Sequence, residues 1–209
     1  MWIFEKLFSF IFPTSCYLCH KQGESLCAHC VKNLSRSIQT TPAFIHTTYS
    51  YRDTRVKQCL HQIKYYHRKD LIFPLVQETC GDDLREFIGD TTNTLLVPIP
   101  MHTTRLWSRG YNHAFHIAQA YGKLFSLPVN TTLLAKIRTS PQQAKIKNRG
   151  EREKNVHGVF AVRAKNTVPQ NTRIIIVDDT TTTHATLNEA QHTLEKAGYR
   201  NICAITLAH

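Results

Sequence analysis

The chain has 209 residues, 42% of them hydrophobic and 10% aromatic, with a formal net charge of +11. That content excludes a disordered chain, and no apolar run reaches the roughly 20 residues of a bilayer span. The length suits one domain, or a small module joined to a domain of about 150 residues. The charge is local: residues 101–150 hold eight Lys and Arg and no Asp or Glu. Such a block points to a polyanionic partner, either nucleic acid or a phosphorylated small molecule; a basic surface kept for solubility is the alternative.

The opening MWIFEKLFSFIFP is divided by Glu5 and Lys6 and stopped by Pro13, and no small-residue cleavage site follows. It reads as an amphipathic helix packed on the protein rather than a secretory signal, with contact to a membrane surface as the alternative. Cys16, Cys19, Cys27 and Cys30 then form C-x2-C-x7-C-x2-C, with Gly23 where the chain must reverse. Without a signal peptide, a doubled C-x2-C points to a structural Zn2+ held by four thiolates, with redox use of either pair as the alternative. Cys59, Cys80 and Cys203 have no ligand spacing. The expected division is therefore a helix and zinc module over 1–34 and a larger domain over 35–209.

Residues 35–48 read as a connector, and FIHTTYSY (44–51) as an edge strand. From Asp53 the apolar Val56, Leu60 and Ile63 recur at helical spacing, with Arg52, Arg55, Lys57, Lys64, Arg68 and Lys69 on or near the other face. A second helical stretch is expected from Leu71 to Ile88. The remainder alternates strand and helix: strands at 95–100, 129–135, 159–162, 173–179 and 202–208, and helices at 111–125 and 186–197. Segment 136–156 is charged and poorly periodic, which suggests a loop or hairpin. This rhythm predicts an α/β fold with a parallel sheet flanked by helices.

The strongest chemical signal is IIIVDDTTTTHATL (174–187). A buried strand delivers Asp178 and Asp179 to its carboxyl end, the edge where open α/β sheets bind ligands. The following helix N-terminus suits a phosphate, and Thr181, Thr182, Thr183 and Thr186 add hydroxyl donors. The acids would repel a bare phosphate, so sugar hydroxyls or hydrated Mg2+ suit them better. The plainer alternative is a Thr run that caps the helix beside solvated acids.

This strand–DD–x–x–TT–x–A–T pattern resembles the phosphoribosyl-pyrophosphate (PRPP) loop of type I phosphoribosyltransferases. Over nearly all 209 residues the chain resembles the ComF family of competence proteins. The motifs that carry this are the double C-x2-C, QIKYY around Lys64, VPIP at 97–100, RxxxRGYN at 105–112, Gln142 and Gln143, N-x-x-G-x-F at 155–160, and the final VDD strand–loop–helix. The resemblance implies a type I phosphoribosyltransferase-like domain with an appended four-cysteine zinc module. It places VPIP, Met101 and His102 at the pyrophosphate loop and makes 137–156 a hood over the site. It assigns the ribose hydroxyls to Asp178 and Asp179, and the 5′-phosphate to the loop Thr180, Thr181, Thr182, Thr183, His184, Ala185 and Thr186. Arg105 and Arg109 are the best candidates for pyrophosphate contacts, because Arg offers a planar donor fork to phosphate, with an ordinary surface Arg as the alternative for each. Lys64 is a weaker candidate that could equally lie on a solvated helix face. The sequence departs from the family at His184, where the loop usually has Gly.

Two functions follow from the resemblance. The first is a competence protein handling single-stranded DNA during natural transformation, with a PRPP-type pocket and Mg2+ accompanying its ligand. Its nucleic-acid residues would be Arg105, Trp107, Arg109, Lys145, Lys147 and Arg149. Tyr111, Phe115 and Tyr121 are further rings in the block, the last two expected in the core. Such a protein would be cytoplasmic and beside the inner-membrane DNA-uptake machinery, with no transmembrane segment of its own. The second is a transferase that moves phosphoribose from PRPP to a base-like acceptor.

Overall fold

In the computed structural model the described residues are 14–38, 41–138, 157–163 and 168–209. The expected helix over residues 1–13, Gln142, Gln143, Lys145, Lys147 and Arg149 lie outside them. In chain order the elements are α1 (Ala28–Lys32), β1 (Ile45–Tyr49), α2 (Thr54–Tyr65), a 3-10 turn (Lys69–Leu71), α3 (Ile72–Glu78), α4 (Asp82–Ile88), β2 (Thr94–Pro98), α5 (Thr103–Arg109), α6 (His113–Phe125), β3 (Leu134–Lys136), β4 (Phe160–Val162), β5 (Arg173–Thr180), α7 (Ala185–Lys196) and β6 (Ile202–Ala208).

Four strands form one parallel sheet in the order β1-β6-β5-β2. β5 lies between β6 and β2, and Ile174, Ile175, Ile176 and Val177 are all fully buried, as a strand covered on both faces must be. Successive side chains alternate sides. Ile175 and Val177 join a core with Val56, Leu60 and Ile63 of α2 and Leu75 and Val76 of α3. Ile174 and Ile176 join a second core with Leu187 and Leu194 of α7 and Phe160 of β4. The first core also takes in Cys16, Leu26, Cys27, Val31 and Leu34, so the cysteine segment packs into the same apolar layer as α2 and α3.

Local chemistry explains where the elements start. Asp53 caps α2 by accepting from the Arg55 amide at 2.9 Å, and Asn112 caps α6 by accepting from Ala114 at 3.1 Å, each removing an orphan donor. Three elements differ from the sequence expectation. The helical stretch 71–88 is broken into α3 and α4 at Thr79 to Gly81, where Gly81 is extended and caps α4. The Thr79 hydroxyl beside the break bonds the Val76 carbonyl and the buried Tyr121 hydroxyl. The strand expected at 129–135 is the shorter β3, paired antiparallel with β4. The segment after VPIP carries the short helix α5, capped by the His102 imidazole accepting from Thr104.

Candidate functional site

All four sheet strands are parallel, so their carboxyl ends meet at one edge, and a cleft of about 390 Å³ opens there. Tyr51 enters it from beyond β1, Lys64 and Tyr65 from α2, Ile99 to His102 from beyond β2, Lys136 from β3, and residues 178–187 from β5 and its loop. This is the edge at which open α/β sheets bind ligands.

Asp179 is buried at the centre. It makes an ion pair with the Lys64 ammonium, and the His113 Nε2 stands 3.5 Å from its other oxygen. Lys64 also donates to the Thr180 hydroxyl at 3.2 Å, so it is not on a solvated helix face. Burial raises the Asp179 pKa, but Lys64 and His113 override it and hold the carboxyl well below the usual range. Burial likewise opposes charge on Lys64, and Asp179 more than restores it. Asp178 is different: burial and the neighbouring Asp179 charge push it up to about 7. Lys64 and His113 thus favour the ionised form of Asp179, while burial and the Asp179 charge disfavour ionisation of Asp178.

Facing the acids is a group of cations. Burial, followed by Arg105, lowers the Lys136 pKa, and burial, followed by Arg109, lowers that of Arg105. Arg105, Arg109 and Lys136 therefore crowd one another along the wall, a distribution that favours an anion. Between acids and cations lies the Thr loop. Its backbone is held by the Thr181 amide donating to Ala208 O at 3.0 Å, and it ends at His184, the N-cap of α7, with φ +59°. His184 is thus in the left-handed region that favours Gly, with its Nδ1 3.1 Å from the Thr181 hydroxyl and its ring 4.7 Å from the His209 ring.

The loop residues Thr180 to Thr186, both acids, Arg105, Arg109 and Lys64 all line this one cleft. Trp107 is 88% exposed and does not line it. Tyr111 and Tyr121 are buried and offer no ring to a ligand. His113 and Lys136 were not singled out in the sequence. His113 directly follows the Asn112 cap in RxxxRGYN, a signal that was available; Lys136 enters only through the β3–β4 hairpin.

In the segment that shares a core with α2, the Sγ atoms of Cys16, Cys19, Cys27 and Cys30 all lie within 4.8 Å of one another, and no cysteine is in a disulfide. Cys19 and Cys27 Sγ are 3.7 Å apart. Four thiolates around Zn2+ at about 2.3 Å give a tetrahedron edge of about 3.8 Å, so the donor set fits a closed Zn2+ site. Gly23 turns between the two pairs at φ +115°, a region that costs a side chain strain. A second group, His113 with Asp178 and Asp179, also has its ligand atoms within 4.8 Å of one another. Since Asp179 already carries Lys64, the oxygen donors left for a hard cation are chiefly those of Asp178.

No family model matches the chain. Over 108 residues, 51% of its length, the chain is 30% identical to Competence protein F of Haemophilus influenzae and is homologous to it there. The match spans 46% of that protein, about half its length. Among solved structures it overlaps glutamine PRPP amidotransferase from B. subtilis, complexed with ADP and GMP, at a TM-score of 0.38 and 17% identity. That overlap covers 66% of this chain and 25% of the other. Among the described residues no helix is long and apolar enough to cross a membrane.

Proposed function

We propose that this homologue of competence protein F handles single-stranded DNA during natural transformation and holds a phosphoribosyl ligand such as PRPP in the cleft. The supporting observation is the polarity of the cleft: an acid pair at the end of β5, a Thr loop before α7, and Arg105, Arg109 and Lys136 on the facing wall. A sugar with a phosphate at one end and a further phosphate group at the other matches that order of charges. Its 5′-phosphate meets the loop hydroxyls and amides, its ribose hydroxyls meet Asp178 and Asp179, and its second anion meets the cations. Mg2+ carried by the ligand would be met by Asp178, supplying charge neutralisation between carboxylate and phosphate. Zn2+ would be held by Cys16, Cys19, Cys27 and Cys30 as a structural ion of the 1–34 module. The site of action would be cytoplasmic, beside inner-membrane DNA-uptake machinery.

The acid-free block that supplies Arg105 and Arg109 favours a nucleic-acid partner, because backbone phosphates attract Lys and Arg whatever the sequence. The deciding experiment is binding of PRPP and of single-stranded DNA to one purified sample, each competing with the other. DNA affinity should fall steeply with salt. Neutralising Arg105, Arg109, Lys145 and Lys147 should flatten that slope by about 0.7 per lost phosphate contact. An unchanged slope after all four would rule the block out as the footprint.

A second reading is favoured by the unequal surroundings of the two acids, Asp179 ion-paired with Lys64 and Asp178 facing the same cleft beside it: transfer of phosphoribose to a base-like acceptor. Release of pyrophosphate from PRPP in the presence of a panel of bases would establish it.

A further inference from the structure

We propose that Tyr65 and Tyr66, with His61, form a base-stacking platform for single-stranded nucleic acid at the mouth of the cleft. The proposal rests on the nucleic-acid reading above and adds the surface that meets the bases.

Large rings are normally spent in the core, yet two adjacent tyrosines at the end of α2 are 54% and 61% exposed. They are not loose. The His61 ring lies 4.8 Å from Tyr65 and 5.6 Å from Tyr66, one turn back on the same helix. The Arg109 guanidinium lies 5.1 Å over the Tyr65 ring. Two further contacts fix the end of α2 against the segment after α5. His67 packs on Tyr111 at 5.1 Å, and the Lys69 ammonium lies 4.7 Å over the same ring. The rings are therefore held before any ligand arrives, which lowers the entropy cost of stacking.

Charge selects the occupant. From Thr54 to Lys69 and from residue 101 to 138 there is no acid. The nearest carboxylate in sequence, Asp70, is taken by Arg68 at 2.8 Å. Arg109 lies over Tyr65 and Arg105 is within electrostatic reach of it, while Lys69 lies over the neighbouring Tyr111. An apolar protein partner would gain nothing from the arginines, and a duplex hides its base faces inside the stack. Unpaired bases on a phosphate backbone use both features, ring faces for stacking and guanidinium groups for phosphate. Tyr65 also lines the cleft, so a strand on the platform runs its backbone past Arg109 into the mouth. Trp107 stands two residues before Arg109, and positions two apart do not share a helix face, so it is not part of this surface.

The test compares binding of an oligothymidylate with an abasic strand of the same length, at one salt concentration. The wild type should prefer the base-bearing strand by about fivefold or more. Tyr65→Ala with Tyr66→Ala should abolish the preference, Tyr65→Phe with Tyr66→Phe should keep it, and the abasic affinity should change little in either. Equal wild-type affinity for the two strands, or a preference retained by the alanine pair, overturns the platform and leaves the DNA reading standing. A wild type that binds neither strand overturns both. Should the alanine pair fold poorly, the wild-type comparison with the abasic strand still decides the matter.

Discussion

The cysteine knuckle and the acidic cleft each gather anion-forming groups within 4.8 Å, and they answer the repulsion in opposite ways. The knuckle gathers four thiols with no cation among its own donors, a set suited to an ion from outside. The cleft brings its own compensation: Lys64 from α2 and His113 from α6 meet Asp179 at the end of β5. The knuckle's donor set fits an added ion, whereas the cleft is neutralised from within by residues that folding brings together. They are nevertheless linked, because the knuckle shares a core with α2 and α3, and α2 carries Lys64 into the cleft.

The largest effect should come from the knuckle. Protein purified without added zinc should hold near one equivalent, and chelation, or Cys16→Ser with Cys27→Ser, should cost several kcal/mol. Because Cys16 and Cys27 lie in the shared core, the loss should appear in the melting of the whole chain and not as a separate small transition. An unchanged melt after metal removal, or a stoichiometric disulfide among the four cysteines, would dissolve the contrast.

Next is the cleft's internal neutralisation. Lys64→Ala leaves Asp179 buried with His113 and the Thr180 donors but without its lysine, and should destabilise by about 3–5 kcal/mol. Wild-type Lys64 has a raised pKa, so its contribution is fully present below its unfolded value and is lost only at strongly alkaline pH. In the variant, the Asp179 carboxyl is pushed above its unfolded pKa, so the damage should grow as pH rises from about 5 to 8. Denaturant melts at the two pH values read this out; a pH-independent loss would mean that packing, not charge, is what Lys64 supplies.

A smaller effect sharpens the link between the two sites. Asp53 caps α2, accepts from the Ser35 amide at 3.0 Å, and pairs with Arg55 at 2.7 Å. The Arg55 guanidinium, against burial, holds its carboxyl well below the usual range. Asp53→Ala should cost about 1–2 kcal/mol at pH 7. The wild-type advantage is present above the unfolded value near 4 and should shrink as pH falls below it. Thermal melts of both proteins at pH 7 and pH 3 give the comparison, and an equal gap at both would remove the charge from the account.

The smallest concerns His184. Its left-handed φ costs on the order of 1 kcal/mol, and a protonated imidazole beside a phosphate dianion would attract it. The His184 contribution to PRPP binding with Mg2+, read as the difference between wild type and His184→Gly, should therefore grow as pH falls from about 8 to 6, and His184→Gly should tighten binding at pH 8. Calorimetric titration of both proteins decides it; equal affinities with equal pH dependence would make the departure from Gly neutral.

Legibility followed the range of the interactions. The double C-x2-C could be read because a thiolate tetrahedron needs two close pairs, and close pairs are visible as spacing. The β5 strand and its acids were legible because a strand buried on both faces is apolar throughout, so Asp178 and Asp179 mark its end. The break in 71–88 falls at Gly81, a local signal that the expected single helix passed over, while the bond that anchors Thr79 beside it, to Tyr121 42 residues later, was not legible. Among the rings of the basic block, Tyr121 is buried as expected and Trp107 is exposed, but Tyr111 is buried, and the exposed tyrosines Tyr65 and Tyr66 lie outside the block.

By itself, then, the sequence determined the α/β rhythm, the four-cysteine cluster, and the acid pair and Thr loop at a strand end, each a matter of local period or spacing. Only the tertiary structure decided which groups face those acids. Lys64 lies 116 residues from Thr180 in the chain and bonds it in space, and Lys136 enters through a hairpin. The physical reason is that burying a carboxylate requires a partner charge, but nothing in local spacing says which remote cation supplies it.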